Sequence, residues 1–241
     1  MWQADFDRRN GALGEAGLPA DDATVDATVD ACLAEALAAL GTTISVERNG
    51  EVFAVGEPAE YLYRVAAGVV RSCLYTEDGR RQIGSFYLPG DIFGFEIAAG
   101  RTFSAEAVSD CRLLAVRRTA LRYAAERDSE LCLSMLAIAT RSAERPQAHV
   151  ALLGRKSAVE RVSGFLHALA GRQHNPSVVE LAMSRQDIAD HLGLTIETVS
   201  RTMTQLQDMG AISLDGSRRV RVPGACGAER PCGRPQAHSP D

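Results

Sequence analysis

The stretch that decides the fold is Met183-Ser184-Arg185-Gln186-Asp187-Ile188-Ala189-Asp190-His191-Leu192-Gly193-Leu194-Thr195-Ile196-Glu197-Thr198-Val199-Ser200-Arg201. Ser184 is placed to cap a helix, and Asp187, three residues on, stands where the partner in a capping box belongs. Ile188, Ala189 and Leu192 share one apolar face, and Gly193 permits a sharp turn. Thr195 then caps a second helix whose Ile196, Val199, Met203 and Leu206 point inward. Glu197, Thr198, Ser200 and Arg201 are left on or beside the exposed face at its start. Two helices joined this tightly, over 185–192 and 196–209, have the layout of a helix-turn-helix, whose second helix enters the major groove of DNA N-terminus first. The residue types suit that groove. Arg201 can donate twice to guanine, Glu197 can accept from a cytosine amino group, and Ser200 can do either. These three are the candidate base readers. Ser184, Arg185 and Gln186 at the first helix start, with Thr195 and Thr198 at the second, are candidate phosphate contacts, helped by free backbone N–H groups. The alternative is a helical hairpin with a solvated charged face.

The flanks agree with the groove reading. Ala211 to Val222 reads as strand, turn at Asp215-Gly216, and strand, with a basic run Ser217-Arg218-Arg219-Val220-Arg221. This hairpin is a wing whose Arg218 and Arg219 are candidate phosphate contacts. Upstream, 157–171 reads as a helix with Val159, Val162, Phe165, Leu166 and Leu169 inward. A turn at Asn175-Pro176 and a strand over Val178–Met183 follow. Residues 154–222 therefore form a winged helix-turn-helix domain. The Gly-, Pro- and Cys-containing tail, 223–241, is expected to be disordered.

Further toward the N-terminus the period changes. Residues 119–153 read as one long dimerisation helix, with Leu131, Met135, Ile138, Ser142, His149 and Leu153 as the candidate interface. Pro146 lies inside it and predicts a kink or break near 145, since an interior proline costs about 3 kcal/mol. From 43 to 116 the period is two. Tyr61, Tyr63 and Val65 alternate, and short apolar runs at Val69–Leu74, Ile83–Leu88, Ile92–Phe95 and Cys111–Val116 are separated by turn signals about every ten residues. That spacing predicts an antiparallel barrel or sandwich. A helix over 22–40 precedes it, so 22–118 forms one unit, and 1–21 reads as a flexible acidic tail. The fold class is α+β.

Composition narrows the function. The chain has 241 residues, 46% of them apolar, with 26 Lys plus Arg against 31 Asp plus Glu and a net charge of −5. That excludes a wholly disordered chain. No uncharged run reaches the roughly 18 apolar residues of a membrane span, and the charged start is no signal peptide, so a cytoplasmic location without a membrane partner is expected. The six cysteines show no CxxC spacing, so neither metal nor cofactor is expected, and no nucleophile–base pair suggests an enzyme. The net charge conceals a division. Residues 1–150 carry 15 basic and 22 acidic groups, whereas 151–222 carry 9 and 7, a net +2. The overall acidity therefore does not exclude DNA.

Two strings, Leu88-Pro-Gly-Asp-Ile-Phe-Gly-Phe-Glu96 with Phe103-Ser-Ala-Glu-Ala-Val108, and Met183 to Arg201, resemble the CRP/FNR family of bacterial transcription regulators, and within it the FixK-like branch. The resemblance covers about 43–222. It implies a cyclic-nucleotide-binding-type jelly-roll barrel, a homodimer on double-stranded DNA, use as an activator with RNA polymerase as partner, and control of microaerobic or nitrogen-fixation genes. It assigns base reading to Glu197, Ser200 and Arg201. Because Ile196 stands where CRP-type members carry a further Arg, it implies a TTGAT-type palindrome. Nucleotide binders of the family place an Arg directly before a Ser in the barrel. Here Phe103 precedes Ser104, and Glu96 is only slightly displaced, so action without cyclic nucleotide is expected, with Arg101 the one available substitute. The alternatives are a nucleotide- or redox-gated sensor of the same family, or a degenerate module that does not bind DNA.

Overall fold

The computed structural model describes residues 22–96, 99–155, 157–173 and 178–222. The tails expected over 1–21 and 223–241 and the turn at Asn175-Pro176 lie outside them. Helix α1 (Asp22–Leu40) leads into eight strands. These are β1 (Thr42–Val46), β2 (Glu51–Phe53), β3 (Tyr61–Ala67), β4 (Val70–Tyr75), β5 (Arg81–Tyr87), β6 (Ile92–Phe93), β7 (Ser104–Ala107) and β8 (Cys111–Arg117). They form two four-stranded antiparallel sheets, in the orders β1-β8-β3-β6 and β2-β7-β4-β5. Period two is what lets both sheets bury one face. Between them lie Phe53, Tyr63, Val65, Val70, Phe93, Ala105, Ala107, Cys111 and Leu113. Tyr63 and Tyr87 stack on Phe93 with ring centroids 5.3 and 4.7 Å away. The jelly-roll expectation holds.

The helix expected over 119–153 is two helices. Helix α2 (Arg118–Ala125) ends, and α3 (Ser129–Arg155) begins anew. The cause is Asp128, whose carboxylate accepts from the backbone N–H groups of Glu130 and Leu131 at 3.0 and 3.1 Å and so caps a fresh helix start. Helix α3 then runs without interruption through Pro146 to Arg155, so the expected break is absent. One lost hydrogen bond does not stop a helix that propagates on both sides of it. The outer face of the β1-containing sheet is covered by helices. Leu33 and Leu37 of α1 meet Leu62, Ile92, Val116 and Leu121 there, together with Leu131 and Ile138 of α3.

The C-terminal unit comprises α4 (Ala158–Ala170), β9 (Val178–Glu180), α5 (Arg185–Leu192), α6 (Ile196–Asp208), β10 (Ser213–Asp215) and β11 (Arg219–Arg221). Ser157 and Glu160 make a full capping box at the start of α4. The three strands form one sheet in the order β10-β11-β9, so the wing hairpin is pinned to the strand before the helix-turn-helix. Its core, with Val162, Leu166, Ile188, Leu192, Val199, Met203, Leu206 and Val220, continues into Ile83, Phe86 and Leu88 of the barrel. The reading domain is therefore packed against its own barrel.

Candidate nucleic-acid interface

The helix-turn-helix is built as its residues dictate. Ser184 Oγ accepts from the Asp187 N–H at 3.0 Å, and the Asp187 carboxylate accepts from the Ser184 N–H at 3.0 Å. Gly193 ends α5 in the left-handed region, φ 61°, which a side chain would strain, and its N–H returns to Ala189 O. Thr195 Oγ1 accepts from the Thr198 N–H at 3.2 Å and caps α6. Val199, Met203 and Leu206 are buried as expected, but Ile196 is 38% exposed. Its place in the first turn of α6 puts it beside the reading face rather than in the core. Glu197, Ser200 and Arg201 are all exposed. The backbone N–H of Glu197 itself, then the Thr195 hydroxyl and Arg201, hold the Glu197 carboxyl below its ordinary value, so it is an ionised acceptor at neutral pH.

The candidate phosphate contacts differ in readiness. Ser184, Gln186 and Thr195 are exposed, and Thr198 is half-buried. Gln186 Nε2 donates to Asp190 at 2.6 Å. Arg185 is half-buried, its Nη1 has no partner, and burial lowers its pKa from the ordinary value without removing the charge. A desolvated cation at a helix start is suited to an anion. In the wing, Arg218 and Arg221 are exposed, while Arg219 donates to Glu180 Oε1 at 3.0 Å in a well-solvated pair.

Sequence reasoning missed what holds this unit in place. Arg71 of β4 donates from Nη1 to Asp187 Oδ1 at 3.0 Å and, from Nε and Nη2, to Glu106 Oε2 at 2.9 and 2.6 Å. Arg81 of β5 reaches the same Asp187 oxygen at 2.6 Å and Asp190 Oδ2 at 2.8 Å. Burial alone would raise the Glu106 carboxyl, but hydrogen bonds from Tyr75, Arg71 and Cys73 outweigh it and hold it low. Beside this network His191 donates from Nδ1 to Ile83 O at 3.1 Å, lies edge-on to Phe86 and Phe165, and stacks on His149 of α3 at 4.1 Å. Burial, then the proximity of His149, drives the His191 pKa down to about 4, so it is a neutral packing residue.

A profile of the Crp-like helix-turn-helix domain matches residues 160–224, and one of the cyclic nucleotide-binding domain matches 43–128. The chain is 52% identical over 192 residues to the nitrogen fixation regulation protein FixK of Azorhizobium caulinodans, covering 78% of this chain and 77% of that one. It is 43% identical to FixK of Rhizobium meliloti, over 71% and 78% of the two chains. The solved structure of FixK2 from Bradyrhizobium japonicum superposes with a TM-score of 0.74 at 40% identity, covering 77% of this chain and 93% of that one. The chain belongs to the CRP/FNR family. It is a DNA-binding transcription regulator of that family, with the winged helix-turn-helix as its reading head.

Two further features of this CRP/FNR chain bear on how it works. In the barrel, Arg101 does not wait for a phosphate. Its Nη1 donates to Glu96 Oε2 at 2.8 Å and to Gly94 O, its Nη2 donates to Tyr61 O, and its guanidinium lies 4.0 Å from the centre of the Phe53 ring. Glu96 and Arg101, the two groups expected to be available to a nucleotide, are paired with each other. Along α3, the first part of the stripe expected at a dimer interface faces inward. Leu131 and Ile138 are buried against α1 and the sheet, Met135 packs on the same cluster, and Ser142 and Leu153 are half-buried. His149 is half-buried on His191 of its own chain. The large apolar side chains left open on this helix are Leu133, Leu136 and Val150, each more than 60% exposed. Among the described residues no cluster of His, Cys, Asp or Glu could hold a metal, and no helix is long and apolar enough to cross a membrane.

Proposed function

We propose that this chain is a homodimeric, sequence-specific activator of nitrogen-fixation or microaerobic genes, working in the cytoplasm with RNA polymerase on a TTGAT-type palindrome and without cyclic nucleotide. The observation that carries it is the start of α6. Glu197, Ser200 and Arg201 stand exposed there while Val199, Met203 and Leu206 are buried behind them. A donor fork, an ionised acceptor and a hydroxyl are thereby offered to base edges. The target genes are suggested by the FixK relatives, which are nitrogen fixation regulation proteins. Independence from nucleotide is supported by the Arg101–Glu96 pair, both side chains of which are over nine-tenths buried. Freeing Arg101 for a phosphate would strand Glu96 without its partner.

The dimer seam follows from exposure. Leu133, Leu136 and Val150 are separated by three and fourteen residues, which keeps them on one line of a seven-residue repeat. They replace the inward stripe as the faces that meet a second copy. Redox gating finds no support in the barrel: burial pushes the Cys73 thiol up to about 12 and raises Cys111 as well, the reverse of a reactive thiolate. The test is fluorescence anisotropy with labelled duplexes. Binding is expected to a TTGAT palindrome, at an affinity unchanged by cyclic AMP or cyclic GMP, with weak binding to a scrambled duplex. Equal affinity for both duplexes would overturn the reading, and a nucleotide requirement would overturn its ligand-free part.

A further inference from the structure

The geometry points to Arg71 and Arg81, two barrel residues, as positioning residues for DNA reading: they fix the angle at which the helix-turn-helix is presented. The inference rests on the DNA-binding dimer proposed above. Asp187 is the pivot. One of its oxygens, Oδ2, closes the capping box with Ser184, at 3.0 Å from the backbone N–H and 2.9 Å from the hydroxyl. The other, Oδ1, receives a guanidinium from each of two adjacent strands, Arg71 at 3.0 Å and Arg81 at 2.6 Å. The carboxylate that shapes the first turn of α5 is therefore also the point where the barrel holds α5.

The chain of contacts is continuous, and it is most deeply buried at its centre, where Arg71 meets Asp187. Tyr75 donates to Glu106, Glu106 receives Arg71, Arg71 reaches Asp187, Asp187 receives Arg81, and Arg81 reaches Asp190. Side-chain exposure along it is 8% for Arg71, 6% for Asp187, 18% for Arg81 and 14% for Asp190. Guanidinium forks demand planar, directed partners, so the three such bonds from the barrel to α5 fix an orientation as well as a distance. Helix α5 abuts α6 through Gly193, so any rotation of α5 on the barrel carries Glu197, Ser200 and Arg201 with it. None of these three touches the latch, and all remain exposed, so the latch presents the reading face without covering it. In a two-fold dimer, that angle sets the separation of the two reading helices and hence the half-site spacing accepted.

The experiment measures affinity of full-length protein for a series of palindromes whose central spacer varies one base pair at a time, at several salt concentrations. Arg71 is too buried for a clean deletion, so Arg81→Ala is the principal variant and Arg81→Lys the second. The wild type is expected to bind one spacing best. Arg81→Ala is expected to lose about tenfold at that spacing, the usual size of coupling between linked sites, and to bind the neighbouring spacings nearly as well. Its discrimination against a mutated half-site and its salt slope are expected to stay as in wild type. Arg81→Lys, which keeps the charge but loses the fork, is expected to fall between. A wild-type spacing profile in both variants overturns the inference while leaving the DNA reading intact. A reduced salt slope overturns it too, because Arg81 would then be a phosphate contact. Failure of the wild type to select any palindrome overturns the DNA reading itself.

Discussion

Arg201 and Arg185 lie sixteen positions apart and should behave oppositely when removed. Arg201→Ala takes away the proposed base-reading fork and is expected to cost about 1–3 kcal/mol on the cognate duplex while relaxing specificity at one position. Arg185→Ala removes the proposed phosphate contact, so all sequences should weaken alike and the salt slope should drop by about one. Competition binding across single-base variants separates the two. His191 gives a third residue-scale expectation. Its pKa is about 4 in the folded chain against an ordinary 6.5, so the unfolded chain holds the extra proton between those values. Stability from this group is complete above pH 6.5 and is lost as pH falls toward 4, by about 1.4 kcal/mol per unit. Thermal melting of wild type and His191→Leu over that range should show the steeper acid decline in wild type. These residues were unequally legible. Glu197 and Arg201 could be read from helical spacing because a local turn fixes which face is open. The stacking of His191 on His149 could not, since it joins positions 42 apart that meet only through packing.

Among the elements, α3 carries the sharpest lesson. Its apolar residues fall on two stripes, and spacing alone cannot say which one the chain covers for itself. Helix α1 decides the matter, because Leu33 and Leu37 occupy the stripe that contains Leu131 and Ile138. The two stripes predict different failures. Leu131→Ala should cost about 2–5 kcal/mol of unfolding free energy as a cavity in the shared core, with the dimer retained. Leu136→Glu should leave the fold intact and shift the protein to monomer in sedimentation, with DNA affinity lost accordingly. The break at Asp128 was hidden for a similar reason. A carboxylate before Ser129 reads as an ordinary helix residue until its bonds to the Glu130 and Leu131 N–H groups are seen. By contrast, the helix-turn-helix was legible almost to the residue, and β3, β4, β5, β6 and β8 to within a few residues, because period two and the Ser–Asp, Gly and Thr signals act locally, whereas the short or weakly apolar β1, β2 and β7 carry too little alternation to be singled out.

At the scale of the molecule, three modules meet at one junction: barrel strands β4 and β5, helix α3 through His149, and the reading head through Asp187 and His191. The Arg71–Asp187 and Arg81–Asp187 contacts join residues 116 and 106 positions apart, so no sequence pattern announces them. They explain how a reading head with a net charge of only +2 can be selective. Its non-specific electrostatic grip is weak, and tight binding depends on two heads held at a fixed separation over the correct bases. The most direct measurement of that claim is selection of duplexes from a random pool by the full-length protein. Enrichment of two inverted TTGAT-type half-sites, their centres about one helical turn apart, is expected. Enrichment of a single unpaired motif, or of no motif at all, would contradict it.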